Sequence, residues 1–195
     1  MSNLRAFGAQ GDGQADDTAA LEHIIEEGDG RIRLPRGTYR ISRTIEIDVS
    51  KQGPISIEGS GGTARIVMTG PGPALRLRGT HDGTGDPGTR SDNVKLLERM
   101  PTISGLEITA EHAEADGLEL VGTMQPVLTS LLIHGVRDGI RLHKRNRNVL
   151  INHCHIYNNT GVGIFFDEVN LHQVNITGNH ISYNRLGGIR LERSE

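Results

Sequence analysis

The sequence predicts an all-β solenoid, a right-handed parallel β-helix, and two repeating patterns predict it. Four short apolar runs between residues 103 and 181 can be aligned on an isoleucine that recurs every 23 to 25 residues. These isoleucines are Ile108, Ile133, Ile156 and Ile181. A second set of runs begins at a glycine that recurs every 22 to 25 residues, at Gly117, Gly139, Gly163 and Gly188. A period in the low twenties made of short runs indicates a solenoid.

The alternation inside each run identifies the repeated element as a strand. In the second set, apolar residues flank a polar one, as Leu118 and Leu120 flank Glu119. A period of two is typical of a strand with one buried face. We therefore expect two strands per coil, stacked in parallel about 4.8 Å apart, with right-handed crossovers. The alternative, a globular parallel α/β sheet, would require long amphipathic helices between the strands.

Composition agrees with one coil-rich β domain. The chain has 195 residues, of which 26 are glycine, and 35% are hydrophobic, which suits a β fold better than a helical one. Aromatic residues are only 3% and tryptophan is absent, so aliphatic ladders must form the core and a tryptophan platform for sugars is excluded. The formal net charge of −3 gives no indication of a nucleic-acid or acidic-membrane partner.

Cysteine content and apolar runs bound the cellular context only loosely. The single cysteine, Cys154, aligns with Leu106 and Leu131 in the repeat and is expected to be an inert core thiol. No run approaches the about 18 apolar residues of a membrane span. The first ten residues lack an apolar signal segment. Either the protein is not exported by that route or a leader precedes this sequence, so localisation stays open.

The amino-terminal segment predicts a short helix that covers the first coil. Asp16 and Asp17 supply side-chain oxygens and negative charge for a helix start. Leu21, Ile24 and Ile25 then form an apolar face before Gly28 ends the helix. Because the first coil of a solenoid would otherwise expose its core, we interpret this helix as a cap.

The rest of the chain divides by its pattern. Residues 1–30 hold the amino-terminal motif and capping helix, and residues 31–78 form the first coils. Residues 79–100 are too polar and glycine-rich to continue the period, so we expect a loop excursion that ends in a short helix near residues 92–99. Residues 101–195 form the regular coils of what we expect to be a single β-helix domain.

The first forty residues carry a specific resemblance. The motif FGAQGDGQADDTAAL at residues 7–21, followed by GRIRLPRGTY at residues 30–39, resembles the pectate-lyase-like superfamily, which includes polygalacturonase-like enzymes, mannuronan epimerases and phage tailspike depolymerases. The resemblance implies a right-handed β-helix, a polysaccharide ligand, often an acidic one, and an extracellular or phage-associated protein. The Asp-Pro-His-Glu of the epimerases is not matched, since residues 86–88 are Asp-Pro-Gly. The Gly-His-Gly of polygalacturonases is not matched either.

The outward positions of the second set of strands predict a site of mixed charge. Stacking the coils places Glu119, Arg141, Phe165 and Arg190 in one outward column, and Val121, His143, Asp167 and Glu192 in the next. We predict Asp167, His143 and Arg141 as catalytic residues, because sugar chemistry needs a proton acceptor beside a cation. The predicted substrate-binding residues are Lys144, Glu168, Arg190, Glu192 and Arg145. The alternative is an array of ordinary surface ion pairs.

No metal site or cofactor is predicted. Glu107, Leu132, His155 and His180 form an outward column with two neighbouring histidines, but no third ligand is fixed by spacing. Asp82, Asp86 and Asp92 could suggest Ca²⁺, yet their spacing resembles no known calcium loop. Solvated histidines and a solvated acidic loop are therefore the favoured interpretations.

Two functional hypotheses follow. The first is a lyase-like or hydrolase-like protein acting on an acidic polysaccharide in the groove around Arg141, His143, Asp167 and Arg190. The alternative is a non-catalytic glycan-binding or structural β-helix, such as a tailspike segment. Since the last recognisable coil ends near Leu191, we also expect an uncovered carboxy-terminal coil that supports homo-oligomers or belongs to a longer protein.

Overall fold

The computed structural model describes residues 1–194 and is a parallel β-helix. Its strands, in chain order, are β1 (Ser2–Asn3), β2 (Asp12–Asp16), β3 (Arg31–Leu34), β4 (Gly37–Ile41), β5 (Ile45–Asp48), β6 (Ser56–Gly59), β7 (Ala64–Met68), β8 (Gly72–Arg78), β9 (Thr102–Ser104), β10 (Leu106–Ala110), β11 (Ala115–Val121), β12 (Val127–Thr129), β13 (Leu132–His134), β14 (Ile140–Asn152), β15 (His155–Tyr157), β16 (Val162–Thr177), β17 (His180–Ser182) and β18 (Gly187–Glu192). The helices are α1 (Thr18–Glu27), α2 (Val49–Gln52) and α3 (Asp92–Leu96), with 3₁₀ turns at Leu4–Phe7 and Pro87–Thr89.

The strands form three faces. Face A contains β5, β8, β11, the first parts of β14 and β16, and β18. Face B contains β1, β3, β6, β9, β12 and the last parts of β14 and β16. Face C contains β2, β4, β7, β10, β13, β15 and β17. All strand pairs are parallel, so each face is a stack of equivalent strands from successive coils.

Both predicted inward columns lie in register. Ile108, Ile133, Ile156 and Ile181 are consecutive partners on face C. Leu118, Ile140, Ile164 and Ile189 are consecutive partners on face A. Aliphatic ladders of this kind fill the interior, and Cys154 is buried among them, where burial raises the pKa of its thiol. The predicted solenoid core is therefore confirmed.

The expectation of two strands per coil is wrong, because each coil has three. The run from Ile103 to Ile108 contains a corner at Gly105, where φ is +63°. The equivalent residues of the later coils, Ser130, His153 and Gly178, also have positive φ. One left-handed residue turns the chain from face B to face C and shifts the inward alternation by one residue, from Ile103 to Leu106. Because the corner is so short, the two strands look like one apolar run in the sequence.

The capping helix forms as predicted, with one correction to its start. Leu21, Ile24 and Ile25 are buried against the first coil, and the Gly28 amide donates to the Ile24 carbonyl at 2.9 Å. The carboxylate of Asp16 accepts from the Thr18 amide at 2.9 Å, but Asp17 does not cap the helix. Asp17 accepts instead from the amides of residues 10 and 11 at 2.7 and 3.1 Å, because that tight turn offers unpaired donors nearer to its carboxylate.

Residues 79–101 leave the repeat between faces A and B. Hydrogen bonds join the two ends of this segment to each other and its middle to Arg147. The fully buried carboxylate of Glu98 accepts from the Thr80 amide at 2.6 Å, from the Thr80 hydroxyl at 2.5 Å and from the Asn93 side chain at 2.6 Å. The guanidinium of Arg147 donates to the carbonyls of Thr84 and Gly85 at 2.6 and 2.9 Å. We call residues 79–101 the excursion.

At the opposite end from α1, two inward positions are open to solvent. Ile189 and Leu191 of β18 are 47% and 66% exposed in this chain. That copies of the chain associate through this coil remains a prediction. Across residues 1–194, the helices are all too short or too polar to cross a membrane.

Candidate active site

Face A carries two outward columns of charged residues. The first contains Glu46, Arg76, Glu119, Arg141, Phe165 and Arg190. The second contains Asp48, Arg78, Val121, His143, Asp167 and Glu192. The strand register thus gives the columns that the sequence predicted and extends each of them upstream by two coils.

Most charges in these columns neutralise one another. Arg76 lies between Glu46 and Glu119 and pairs with both. Arg141 donates through Nε to Asp167 Oδ2 at 2.9 Å, and its Nη1 lies 3.7 Å from Glu119 Oε1. Both carboxylates at the centre are buried, Asp167 being only 6% exposed. Paired and shielded in this way, Asp167 is suited to holding Arg141 in place and poorly suited to receiving a substrate proton.

The imidazole of His143 has a fixed tautomer when it is neutral. Its Nδ1 lies 2.9 Å from the backbone carbonyl oxygen of Asp167. A carbonyl oxygen can only accept, so Nδ1 carries the hydrogen and Nε2 keeps a lone pair. The ring is half-buried and lines a depression of face A. The neutral ring of His143 therefore has Nε2 as its basic atom.

A β-bulge follows His143 and opens the groove. His143 pairs with Asp167, but Lys144 pairs with Val169, so Glu168 is the extra residue. Lys144 and Glu168 both have positive φ, 61° and 48°. A bulge of this kind re-aims side chains and strengthens the local turn. Here it directs Lys144 and Glu168 to the rim where face A meets face B.

Two depressions share this rim and form one groove. The smaller has a volume of about 230 Å³ and is lined by Arg76, Arg78, Glu119, Val121, His143 and Lys144. The larger, of about 450 Å³, shares Arg78, Val121 and Lys144 with it. It is completed by the start of the excursion, by Arg145 and by Glu168 with its partner Arg193, 2.8 Å away. We call the two depressions together the groove.

Two cations of the groove are unpaired. Among the carboxylates of residues 1–194, none lies within ion-pair distance of Lys144 or Arg145. Every other cation along the two columns has an acidic partner, as Arg190 has Glu192 at 3.0 Å. The positive charge available to an anionic ligand is therefore concentrated at the bulge, beside His143.

The structure distributes the predicted site residues unevenly. Lys144, Arg145 and Glu168 line the groove, and His143 lies in its smaller part. Arg190 and Glu192 share the columns on β18, but they pair with each other outside the groove lining. Arg190 also lies 5.8 Å above the Phe165 ring.

The groove residues that the sequence analysis missed include Arg78, His81 and Arg193. Arg78 could have been found by extending the His143 column upstream into residues 74–78. His81 lies in the excursion, where no repeat exists to locate it. It is 3% exposed, and burial together with Arg147 and Arg145 lowers the pKa of its imidazole.

The acidic loop and the histidine column offer no metal centre. Across residues 1–194, no three His, Cys, Asp or Glu side chains converge on a point that could hold a metal ion. Asp82 lines the groove, Asp86 accepts from the Gly88 amide at 2.8 Å, and Asp92 pairs with Lys95 at 3.3 Å. The rings of His155 and His180 stack on each other 5.6 Å apart.

Comparison with known proteins agrees with this architecture. The family model described as right handed beta helix region matches residues 85–195, and the model described as rhamnogalacturonase A/epimerase, pectate lyase-like, matches residues 1–71. The chain is 48% identical over 44 residues to mannuronan C5-epimerase AlgE3 of Azotobacter vinelandii, a match covering 20% of this chain and 2% of that protein. It is 46% identical over 44 residues to alginate lyase 7 of the same organism, covering 20% and 5%.

A solved structure extends the similarity to nearly the whole chain. The A-module of mannuronan C-5 epimerase AlgE4 from Azotobacter vinelandii superposes with a TM-score of 0.70 at 17% identity, over 97% of this chain and 53% of that one. At this identity the likeness shows the fold alone. The chain spans a small fraction of the curated relatives and about half of this module. The predicted right-handed β-helix and the pectate-lyase-like resemblance are both confirmed.

Proposed function

The chain belongs to the right handed beta helix region family, and from that premise we propose that it acts on an acidic polysaccharide in the groove of face A. The proposed chemistry is removal of the proton next to a uronate carboxylate. That step is common to elimination and to epimerisation, so it suits a chain with short matches to an alginate lyase and a mannuronan C5-epimerase.

The observation that carries the proposal is the juxtaposition of His143 with unpaired positive charge. Nδ1 of His143 is tied to the Asp167 carbonyl at 2.9 Å, which leaves Nε2 as the basic atom. Lys144 and Arg145, the next two residues, have no acidic partner among residues 1–194. A uronate carboxylate held by these cations would have its adjacent C–H acidified, since positive charge stabilises the carbanion that forms.

Each remaining group then has a supporting role. His143 Nε2 takes the proton, and the Asp167 carbonyl stabilises the resulting imidazolium through Nδ1–H. Arg141 pairs with Asp167, its Nε lying 2.9 Å from Asp167 Oδ2, and helps to hold the residue whose carbonyl orients His143. In elimination, the electron pair left on carbon forms a double bond to the neighbouring carbon, and the glycosidic oxygen that leaves that carbon takes up a proton from solvent. In epimerisation, the carbon takes up a proton from solvent on its other side, and in both reactions His143 then releases its proton to solvent.

Hydrolysis is less well supported by the same geometry. A glycoside hydrolase needs two carboxyl groups flanking the bond, one to donate a proton and one to activate water or attack. Among residues 1–194, three carboxylates line the groove, those of Asp82, Glu119 and Glu168. Glu119 is buried in a pair with Arg76, and Glu168 pairs with Arg193 at 2.8 Å. Asp82 is the one of these three without such a partner among the described residues, so the groove offers one unpaired carboxylate where hydrolysis requires two.

Assays on uronate polymers test the proposal. The chain would be incubated with polymannuronate, alginate and polygalacturonate, and unsaturated ends would be followed by ultraviolet absorbance, epimerised residues by NMR, and new reducing ends chemically. We expect unsaturated or epimerised product, with a loss of about a hundredfold or more in His143→Ala. Arg31→Ala, an exposed change on face B, is the matched control.

Three results would count against the proposal. Full activity in His143→Ala would remove His143 from the chemistry. Reducing ends without unsaturation would indicate hydrolysis instead. Binding of the polymer with no product on any substrate would favour the alternative function, a non-catalytic glycan-binding β-helix.

A further inference from the structure

Face C carries a second set of outward side chains that the groove does not use. His134 of β13 pairs in register with Tyr157 of β15, and Tyr157 pairs with Ser182 of β17. The rings of His134 and Tyr157 are stacked, with centroids 5.4 Å apart and planes 8° from parallel. Glu107 fixes this stack, because its Oε1 lies 2.9 Å from His134 Nε2.

The stack stops at Ser182. Since the two ring planes are nearly parallel and successive coils lie one above another, His134 covers one face of the Tyr157 ring and the next coil lies over the other. That coil supplies a serine, which has no ring to cover it. A depression of about 390 Å³ results, lined by His155, Tyr157, Asn158, His180, Ser182 and Tyr183. Tyr183 stands at its edge and is 84% exposed.

The lining of this depression specifies the chemistry of a ligand. Aromatic rings contribute flat faces with negative quadrupole, which attract polarised C–H groups. The Ser182 hydroxyl, the Asn158 amide and the imidazole of His180, whose Nε2 lies 3.1 Å from Ser182 Oγ, offer hydrogen bonds. Among residues 1–194, no lysine, arginine, aspartate or glutamate lines the depression. A ligand that combines a flat C–H face with a rim of hydroxyls, and that carries no charge, satisfies all of these groups.

We propose that this depression is a binding subsite for a neutral hexose unit of a glycan, stacked on the Tyr157 ring and separate from the groove. A uronate would find no cation here. A purely apolar partner would leave the polar groups of Ser182, Asn158 and His180 without hydrogen bonds. The subsite lies on face C and the groove lies on face A, so the two can be occupied independently.

Tyrosine fluorescence offers a direct test. The chain has no tryptophan and three tyrosines, and Tyr39 is fully buried in the core, so solvent-dependent emission comes from Tyr157 and Tyr183. The full chain would be titrated with cellohexaose, maltohexaose and laminarihexaose as neutral probes, and with a mannuronate hexamer as the acidic probe. We expect a saturable change with at least one neutral hexamer and none with the mannuronate.

Three variants isolate the stacking contact. Tyr157→Ala should weaken binding of the neutral hexamer about tenfold, whereas Tyr157→Phe should retain most of it. Ser182→Phe should abolish binding by extending the stack into the depression, and it does so without removing a side chain. His143→Ala, in the groove, should leave neutral binding unchanged even if it abolishes activity on uronates.

Two outcomes would overturn the proposal. One is the absence of saturable binding by all three neutral hexamers. The other is binding that Ser182→Phe leaves intact, since the ligand would then lie elsewhere. Failure of the groove chemistry would be seen only in the uronate assays, so the two proposals can fail separately.

Discussion

Face A and face C are built by the same stacking of coils but from opposite chemistries. On face A, outward residues of adjacent coils form a ladder of ion pairs, as Arg141 does with Asp167. On face C, they form a ladder of rings, as His134 does with Tyr157. In both ladders, side chains of adjacent coils are partners of one another: opposite charges form ion pairs on face A, and aromatic rings stack on face C. A depression opens where each ladder is interrupted, at the Glu168 bulge on face A and at Ser182 on face C.

This difference teaches where function can arise in a solenoid. Repetition makes neighbouring side chains the natural partners of one another, so a regular column has little capacity left for a ligand. An interruption leaves partners without their complements, namely the cations Lys144 and Arg145 on face A and the second face of Tyr157 on face C. Four predictions probe this contrast, from the largest expected effect to the smallest.

The largest effect should come from breaking the ion-pair ladder at its buried rung. Asp167→Ala leaves Arg141 without its close partner in a shielded position, and we expect a loss of about 3 kcal/mol in the free energy of unfolding. Glu192→Ala, one coil further along the same column and only half-buried, should cost less than about 1 kcal/mol. Urea unfolding of both variants would measure the difference. Equal losses in the free energy of unfolding would contradict the claim that the Arg141–Asp167 pair stabilises the fold more than the Arg190–Glu192 pair.

The next largest effect should be confined to the excursion beside face A and leave face C unchanged. Glu98→Ala leaves the amide and hydroxyl of Thr80 without their acceptor and should destabilise the excursion by about 2 kcal/mol. Hydrogen exchange should accelerate in residues 79–91 and remain unchanged on face C. Binding of the neutral hexamer should also be unchanged. Acceleration that extends through β15 and β17 would show that the excursion supports more than the groove.

The two faces should also lose stability in different ranges of acidic pH. Burial lowers the pKa of His81 below its ordinary 6.5, so the unfolded chain takes up the proton first and the excursion loses stability as the pH falls below about 6.5. Burial raises the pKa of Glu107, but hydrogen bonds from His134 and Arg65 outweigh it and the pKa is lowered.

Stability from Glu107 is therefore present above its ordinary value of 4.5 and is lost as the pH falls through the lower folded value. Hydrogen exchange measured from pH 7 downward should show the excursion loosening before face C. His81→Asn should remove the first change and Glu107→Gln the second. Simultaneous loosening of both regions would mean that another group controls the acid response.

The smallest expected effect is a gain in stability on face C. Ser182→Phe continues the ring ladder of face C, so we expect the free energy of unfolding to rise by about 0.5 kcal/mol. Ser182→Ala, which adds no ring, is the control and should change little. A clear loss in Ser182→Phe would show that the stack cannot be extended in this geometry.

The sequence predicts the columns better than it predicts the corners and the groove. Period and pleat together determine which residues face inward and which share an outward column, so Ile108 with Ile133 and Arg141 with Phe165 could be paired in advance. Ser130 and His153 could not be recognised as corners, because their left-handed backbone is imposed by stacking between Gly105 and Gly178. His81 and Glu98 were also beyond reach, since their positions depend on how an irregular segment folds back on the coils.

The single-residue corner at Gly105, Ser130, His153 and Gly178 has a consequence for how this scaffold can be altered. The coil before that of Gly105 carries residues 60–63 in addition at this same corner, between β6 and β7, and faces B and C both keep their register there. The corner between faces A and B already accommodates the 79–101 segment as well as the short turn between β11 and β12. Loop grafts and domain insertions should therefore be tolerated between faces A and B, beside the groove, which makes that corner the place to engineer new specificity.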